Sequence, residues 1–499
     1  MIRLGFAEGP DLICRWTAYK AKTSRHIVRQ ALETIKVTAV FGFPSDRADE
    51  PSSFTPVLYF AVASSDEQAN YLHKLVWSQG VVPILVIATP HALQIRKSLG
   101  PPSAKPISVP WSKLEGGAEL PVELTSLTSV ALRSSVVWND FAINRSGRVD
   151  KTILEAIKSL NDEVQAKVVS LKSEPALINA VIGRFIYLFV LIDRGIISPE
   201  WIGRLKNGSG KALCPIITDN LKQPSAALSD VQWPAREVWA LFDAIDDVLN
   251  GTIFPVKAVD RRRIPTDALH LVRRAIRHGD KLGGGSRQLG FFDVSFATLR
   301  TETISAIYEL FLFIEDSENK TEDGAFYTPP FLVDYVLDQV DRIKPFTRSS
   351  RVLDPAAGSG IFLVGAFRRI LERTMPRGRW QESHFRRARA LLQSAVFGIE
   401  RNTQAANVAR FSLYMTLLDY VENTKIEKLK KFVKRERVFP ELTKNVLARD
   451  VFSVQGQDIG QFTHDSVTYS IPTVATKHGV FDIAIKKSFH TTITVCDEL

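Results

Sequence analysis

Cysteine is almost missing from this chain. Cys14, Cys214 and Cys496 are the only three in 499 residues, and their wide separation matches no zinc or redox spacing. Without a disulfide framework, a reducing, cytoplasmic compartment is expected. The opening Met1-Ile2-Arg3-Leu4-Gly5 lacks the apolar stretch of a secretory leader. The strongest apolar run, Phe185 to Ile192, is bounded by Arg184 and Asp193. It is shorter than the roughly 20 residues a bilayer demands, so it reads as a buried helix and no membrane partner is expected. Acidic residues are in deficit, 54 against 64 lysines and arginines, for a formal net charge of +10. That imbalance points to an anionic partner, of which nucleic acid is the commonest. Apolar content of 45% and charged content of 24% are ordinary for globular protein and exclude disorder along the whole chain. The length implies roughly two to four domains, and no repeat of solenoid period is found.

Three grammars succeed one another. Residues 1–120 read as a small α/β domain. Thr55 to Ala63 is a buried strand, Asp66 to Ser78 has helical apolar spacing, and Val81 to Ala88 is a second strand, together a βαβ-like unit. Residues 121–320 form a mostly helical domain, with long periodic stretches at Lys151 to Leu171, Pro175 to Arg194, Arg236 to Leu249 and Thr266 to Arg277. Gly283-Gly284-Gly285-Ser286 is a flexible break, and Glu315 to Asp323 a charged linker. Residues 321–499 alternate helix and strand, as a doubly wound, mainly parallel sheet requires.

The chemistry concentrates in that third segment. Asp354 ends the strand Arg351-Val352-Leu353, at the sheet edge where open α/β folds bind ligands. Gly358 and Gly360 follow and remove the Cβ atoms that would hold a ligand off the backbone. No Gly-Lys-Ser/Thr accompanies them, which disfavours a nucleoside triphosphate; an acid at the strand tip suits a cationic amine better than a phosphate. Standing alone, such a turn is as readily a plain strand-to-helix connection. Two further strands change that balance, because Val396-Phe397-Gly398-Ile399-Glu400 and Val446-Leu447-Ala448-Arg449-Asp450 also end in carboxylates. Glu400 sits where an acid accepts hydrogen bonds from ribose hydroxyls. No metal-ligand spacing is present.

These residues resemble the gamma-type N6-adenine DNA methyltransferases, including type I modification subunits and single-chain type IIG restriction-modification enzymes. Asp354 to Leu363 looks like motif I, and Gly324-Ala325-Phe326-Tyr327-Thr328-Pro329-Pro330 resembles the Gly-Ala-x-Tyr-Thr-Pro element that precedes it. Gly398-Ile399-Glu400 with Ala405 to Arg410 is similar to motif II, and Ala448-Arg449-Asp450-Val451-Phe452 to motif III. Glu302 to Glu309 resembles the helix that leads into this domain. The likeness runs from about Thr301 to Ile485. It implies a Rossmann-like, S-adenosyl-L-methionine-dependent methyltransferase domain, incomplete at its C-terminal end. Carried over, Asp354, Ala356, Gly358 and Gly360 would hold the methionine moiety, with Tyr327, Thr328 and Pro329 nearby. Glu400 would hold the ribose, and Asp450 with Phe452 the cofactor adenine. The implied partner is double-stranded DNA, with a specificity or restriction subunit or a separately encoded C-terminal half as companion.

One expected element is not in the sequence. The family's Asn/Asp/Ser-Pro-Pro-aromatic motif, which grips the extruded adenine, should follow Val480 to Ile485; the residues there are Lys486-Lys487-Ser488-Phe489-His490. Thr328-Pro329-Pro330-Phe331 imitates it in the wrong place. No catalytic residue is therefore assigned, and a truncated or frame-disrupted product is the expectation. The leading reading is a DNA adenine-N6 methyltransferase of a bacterial restriction-modification or phage-defence system. The alternative is a catalytically inactive cofactor- or DNA-binding fragment or subunit, and a third is methylation of RNA or protein on the same fold. The N-terminal domain reads as a degenerate, nuclease-like scaffold, because Val57 to Ala63 and Val82 to Ala88 lack the acid and acid-x-lysine of metal-dependent nucleases. Two basic clusters, Arg386, Arg387 and Arg389, and Lys425 to Arg437, stand equally as phosphate contacts or solvated helix faces. His26 and His73 read as ordinary surface or core residues.

Overall fold

The computed structural model describes residues 1–451 apart from 8, 17–24, 45–53, 115–118, 135–146, 207–212, 214, 223–230, 250–253, 279, 282–287, 290–293, 316–327, 329, 377–379, 422, 423 and 435, and beyond 451 only 483–486 and 492–495. The glycine break at 283–286, the charged linker from 316, Tyr327, Pro329 and Phe452 thus lie outside the described residues. Two compact units are present: Met1–Ile153 with Asp293–Arg300, and Leu154–Phe292 with Thr301–Leu499.

The first unit is built on a six-stranded mixed sheet in sequence order. Its strands are β1 (Leu12–Cys14), β2 (Ala39–Phe43), β3 (Thr55–Val62), β4 (Ile84–Ala88), β5 (Ala92–Lys97) and β6 (Ile107–Pro110). Only β3 and β4 pair in parallel, joined by helix α1 (Asp66–Gln79), which is the strand–helix–strand unit expected from the sequence. Strand β3 is apolar throughout because both its faces are covered. Tyr59 and Ala61 pack with Ala69, Leu72 and Val76 of α1, whereas Leu58 and Phe60 pack with Phe6, Phe41 and Val109 on the opposite side. The two-residue alternation of a strand divides them.

The second unit begins with helices α2 (Val149–Lys167, from Leu154 on), α3 (Pro175–Asp193), α4 (Ala235–Leu249), α5 (Thr266–His278) and α6 (Thr301–Glu315). Helix α3 is apolar and long enough, by length and composition, to cross a membrane. Its side chains are nonetheless enclosed within the fold from Ile178 to Leu191. Phe185 meets Phe242 of α4 edge-on at 5.2 Å, while Tyr187 meets Phe411 at 5.2 Å. A helix covered on opposite faces has no side left to be polar.

A five-stranded sheet follows, made of β7 (Val352–Asp354), β8 (Val396–Glu400), β9 (Val446–Ala448), β10 (Ile483–Lys486) and β11 (Thr492–Val495). Its order is β9-β8-β7-β10-β11. The first four run parallel, and β11 is antiparallel to β10. Helices α7 (Pro330–Ile343), α8 (Ile361–Thr374), α9 (Glu382–Ala395), α10 (Thr403–Asp419) and α11 (Ile426–Phe432) accompany them. Chain order starts at a central strand, steps outward to β9, then returns to the other side of β7. This is a doubly wound, Rossmann-like α/β sheet whose order reverses beside β7.

Candidate functional site

The switch point lies where β7 ends in Asp354. That side chain is 1% exposed, and its Oδ1 accepts a hydrogen bond from the Ala356 backbone N–H at 3.1 Å. A buried acid at a strand tip tightens the turn that follows and leaves its ligand-facing chemistry beside the parallel-strand ends. Gly358 (φ 54°) and Gly360 (φ 82°) then adopt left-handed backbone, which glycine enters without steric cost. The two glycines serve different ends. A Cβ on Gly360 would stand 2.8 Å from Ala409 Cβ and 2.9 Å from its Cα on α10, whereas a Cβ on Gly358 would meet nothing within 4 Å. Gly360 is a packing requirement; Gly358 faces open space.

Helix α8 starts immediately after Gly360, and no side chain caps it. Its first N–H groups are thus left without the usual side-chain acceptor, at the edge where the turn is open. Glu400 at the tip of β8 closes the turn from the neighbouring strand. Its Oε2 accepts from Gly358 N–H at 2.8 Å, and its Oε1 from Asn402 N–H at 2.9 Å. Register fixes this contact: Asp354 is opposite Gly398, and Glu400 opposite Ala448. Gly398 is closely packed, since a Cβ there would lie 2.8 Å from Leu363 Cδ1 and 3.0 Å from Ala357 Cβ. Asp450 follows β9 at the same sheet edge and is exposed.

Helices α7 and α8 are held together by ion pairs. Asp334 and Asp338 of α7 bind Arg369 of α8 at 3.4 and 2.5 Å, and Asp341 binds Arg373 at 2.5 Å. Gly365 admits Leu337 and Val333 between these pairs. Residue numbers rise together along both helices, so α7 and α8 lie parallel with their N-termini level. Thr328 is buried two residues before α7 begins. Burial works against the charge on Arg369, but Asp334 and Asp338 outweigh it and raise its pKa.

Behind the turn, α8 and α10 are fixed by an ionic network. Asp419 at the end of α10 binds Arg194 and Arg368 and accepts from Thr301 Oγ1 at 3.0 Å. Arg368 also binds Glu302 at 3.1 Å. Burial disfavours the Arg368 charge, and the Glu302 and Asp419 carboxylates override it, holding its pKa well above the usual value. Helix α6, which the sequence pattern placed ahead of the domain, thus supplies two of the partners.

Of the expected site residues that the structure describes, Asp354, Ala356, Gly358, Gly360, Glu400 and Asp450 lie at the ends of three neighbouring parallel strands or in the turns after them, and Thr328 is buried just before α7. Asn402 escaped sequence reasoning, and so did the packing of Ala409, within the motif II stretch, against Gly360. The signal for Asn402 was present as an asparagine directly before a helical apolar pattern; that for Ala409 was not, since a small residue opposite a glycine is visible only in three dimensions. The basic clusters are divided in use. Arg386 donates to the Phe432 carbonyl at 2.9 Å, Arg389 pairs with Glu436 at 3.1 Å, and Lys428 lies over the Phe432 ring at 5.6 Å. Arg387, Lys425, Lys431 and Lys434 remain exposed, and Arg435 is outside the described residues.

Residues 300–453 match the family model described as N-6 DNA Methylase. A curated relative, the adenine-specific methyltransferase PglX of Streptomyces coelicolor (strain ATCC BAA-471 / A3(2) / M145), is 30% identical over 115 residues, which is 22% of this chain and 9% of PglX. Among solved structures, a cryoEM DrdV-DNA complex aligns with 80% of this chain and 34% of its own, at 13% identity and a TM-score of 0.33. A modification subunit of a putative type I restriction enzyme from Vibrio vulnificus YJ016 aligns over 56% of this chain and 57% of its own, at 17% identity and a TM-score of 0.25.

Proposed function

We propose that this chain holds the S-adenosyl-L-methionine site of a DNA adenine-N6 methyltransferase belonging to a bacterial restriction-modification or phage-defence system. The observation that carries the reading is the uncapped, open glycine turn at Gly358 and Gly360, flanked by Asp354 and Glu400. Its fit to the cofactor is chemical. Asp354 is an acid suited to the methionine ammonium. The Glu400 carboxylate, oriented by one N–H on each oxygen, keeps acceptor capacity on both for a ribose diol. Gly358 leaves the room that a ligand against the backbone needs. Asp450 and Phe452 would hold the cofactor adenine, with Tyr327, Thr328, Ala356, Pro329 and Gly360 around the methionine end.

The cofactor supplies a methyl group on a positively charged sulfur, already a good leaving group. The protein's task is alignment of a weak nucleophile with that methyl, with the adenine first taken out of the duplex at a cost of about a few kcal/mol. The exposed lysines of α11 and Arg387 would meet DNA phosphate, together with a specificity or restriction subunit or a separately encoded C-terminal half. A second reading has its own observation. No Asn-Pro-Pro-aromatic sequence occurs in the 499 residues, so the chain would bind cofactor or DNA without turnover by itself.

Equilibrium dialysis against S-adenosylhomocysteine, with NAD and ATP as controls, tests the site. Saturable binding of the first alone supports the proposal, and preference for NAD or ATP overturns it. Tritium transfer from labelled S-adenosylmethionine to adenine-containing DNA separates the two readings. Near-background incorporation is expected for the chain alone, while robust turnover would show that the adenine is gripped by residues other than the family motif.

A further inference from the structure

We propose that Asn402 is a positioning residue of the cofactor pocket, acting by aiming Glu400 and, through it, the glycine turn. Three contacts carry this. The Asn402 side chain caps α10, its Oδ1 accepting from Gln404 N–H at 2.8 Å and Ala405 N–H at 3.1 Å. The Asn402 backbone N–H donates to Glu400 Oε1 at 2.9 Å. The other oxygen of that carboxylate, Oε2, accepts from Gly358 N–H at 2.8 Å. The start of α10 is therefore linked to the open glycine by two hydrogen bonds to one carboxylate. The same helix touches the turn again two helical turns later, where Ala409 fills the space a Cβ on Gly360 would need.

A glutamate at a strand tip has several staggered rotamers open to it. An N–H donor on each oxygen leaves one orientation in which both are satisfied. Asn402 supplies one donor from its backbone and, by capping, fixes the backbone that presents it. Any residue has the N–H, but only a short side chain with an acceptor oxygen holds it in the extended cap conformation seen here (φ −79°, ψ 118°). The side chain thus reaches the ligand site without touching the ligand.

The inference rests on the cofactor reading above, and its test separates the two. Hydrogen exchange at the Gly358 amide is measured on the whole chain without ligand, and S-adenosylhomocysteine affinity in parallel, for wild type, Asn402→Ala, Asn402→Ser and Glu400→Ala. Loss of a cap weakens a coupled equilibrium about five- to tenfold. Asn402→Ala is expected to speed Gly358 exchange and weaken binding by about that factor, with Asn402→Ser restoring both. Adding Asn402→Ala to Glu400→Ala is expected to cause no further loss, because both act through one carboxylate. Unchanged Gly358 exchange in Asn402→Ala, or fully additive losses, would overturn the proposal. Should Asn402→Ala not fold, Asn402→Ser against Asn402→Gly decides it, since only serine keeps the acceptor. If wild type binds no S-adenosylhomocysteine while the exchange pattern holds, the cofactor reading fails and the positioning role stands.

Discussion

Each compact unit joins parallel strands through helices, and the turns after β3 and β7 are finished in opposite ways. Between β3 and α1 the connection is Ala63-Ser64-Ser65. Ser65 accepts from Gln68 N–H at 3.2 Å, and the Gln68 side chain returns to Ser64 N–H and Oγ at 2.6 and 2.8 Å. Asp66 and Glu67 fill the first turn of the helix. That helix start satisfies itself and complements its own dipole. Between β7 and α8 the connection is glycine-rich, the cap side chain is missing and the first turn has no acid. Its cap residue, Gly360, has no side chain to accept from the helix's first N–H groups. A parallel strand–helix–strand unit alone therefore says nothing about ligands; what the turn withholds from itself does.

The openness of the second turn must be compensated behind it, and that is where the comparison is easiest to break. Asp419 is 1% exposed at its side chain and serves two arginines. Asp419→Ala leaves Arg194 and Arg368 facing each other without their shared carboxylate. Such a loss costs about 3–5 kcal/mol, to be read as a lowered urea midpoint of the second unit with the first unit's transition unmoved.

The first unit has its own buried polar group, and it responds to pH. His73 is held down at about 4 by burial and then by the Arg96 guanidinium, with backbone hydrogen bonding at Lys97 and Gly100 opposing them. Asn70 faces the same arginine at 2.8 Å, and Gln94 and Asp66 continue the cluster. Folded His73 stays neutral while the unfolded histidine protonates near 6.5. Stability is hence complete above about pH 6.5 and declines as pH falls toward 4. The full loss is on the order of 3 kcal/mol, at about 1.4 kcal/mol per tenfold change. His73→Gln is expected to flatten that decline in the first unit's midpoint between pH 6.5 and 4.

The two glycines of the open turn sharpen the contrast between folding and binding. Gly360→Ala must place a Cβ against Ala409 at positive φ, with a cost of about 2–4 kcal/mol from strain and overpacking. Gly358→Ala has room around it and should cost about 1–2 kcal/mol of backbone strain alone. Thermal unfolding should rank the variants in that order, while cofactor affinity falls for both. The smallest effect belongs to the closed turn. Ser65→Ala should remove about 1 kcal/mol and leave cofactor affinity as in wild type, measured by the same titration.

Much of the fold was legible beforehand because its elements announce themselves locally. The apolar run of β3 and the three strand tips at Asp354, Glu400 and Asp450 each declare a position by residue type alone. One helix end shifted by a residue, from Ser78 to Gln79, which is buried ahead of the left-handed Gly80. What stayed hidden is long-range. Arg369 and Arg373 find their carboxylates only because α7 packs along α8, and Arg194, the end of a helical pattern in the sequence, finds Asp419 225 positions away. Asn402 was overlooked for the same reason, since its cap is local but the carboxylate it aims belongs to the turn of another strand.

The difference between the two turns reduces to whether the open one takes the cofactor. Calorimetric titration of the whole chain with S-adenosylmethionine, alongside Asp354→Ala and Ser65→Ala, decides that most directly. Saturable one-to-one binding, abolished in Asp354→Ala and retained in Ser65→Ala, is the expected result. An absence of binding in the wild type, or binding that Asp354→Ala leaves unchanged, would contradict it.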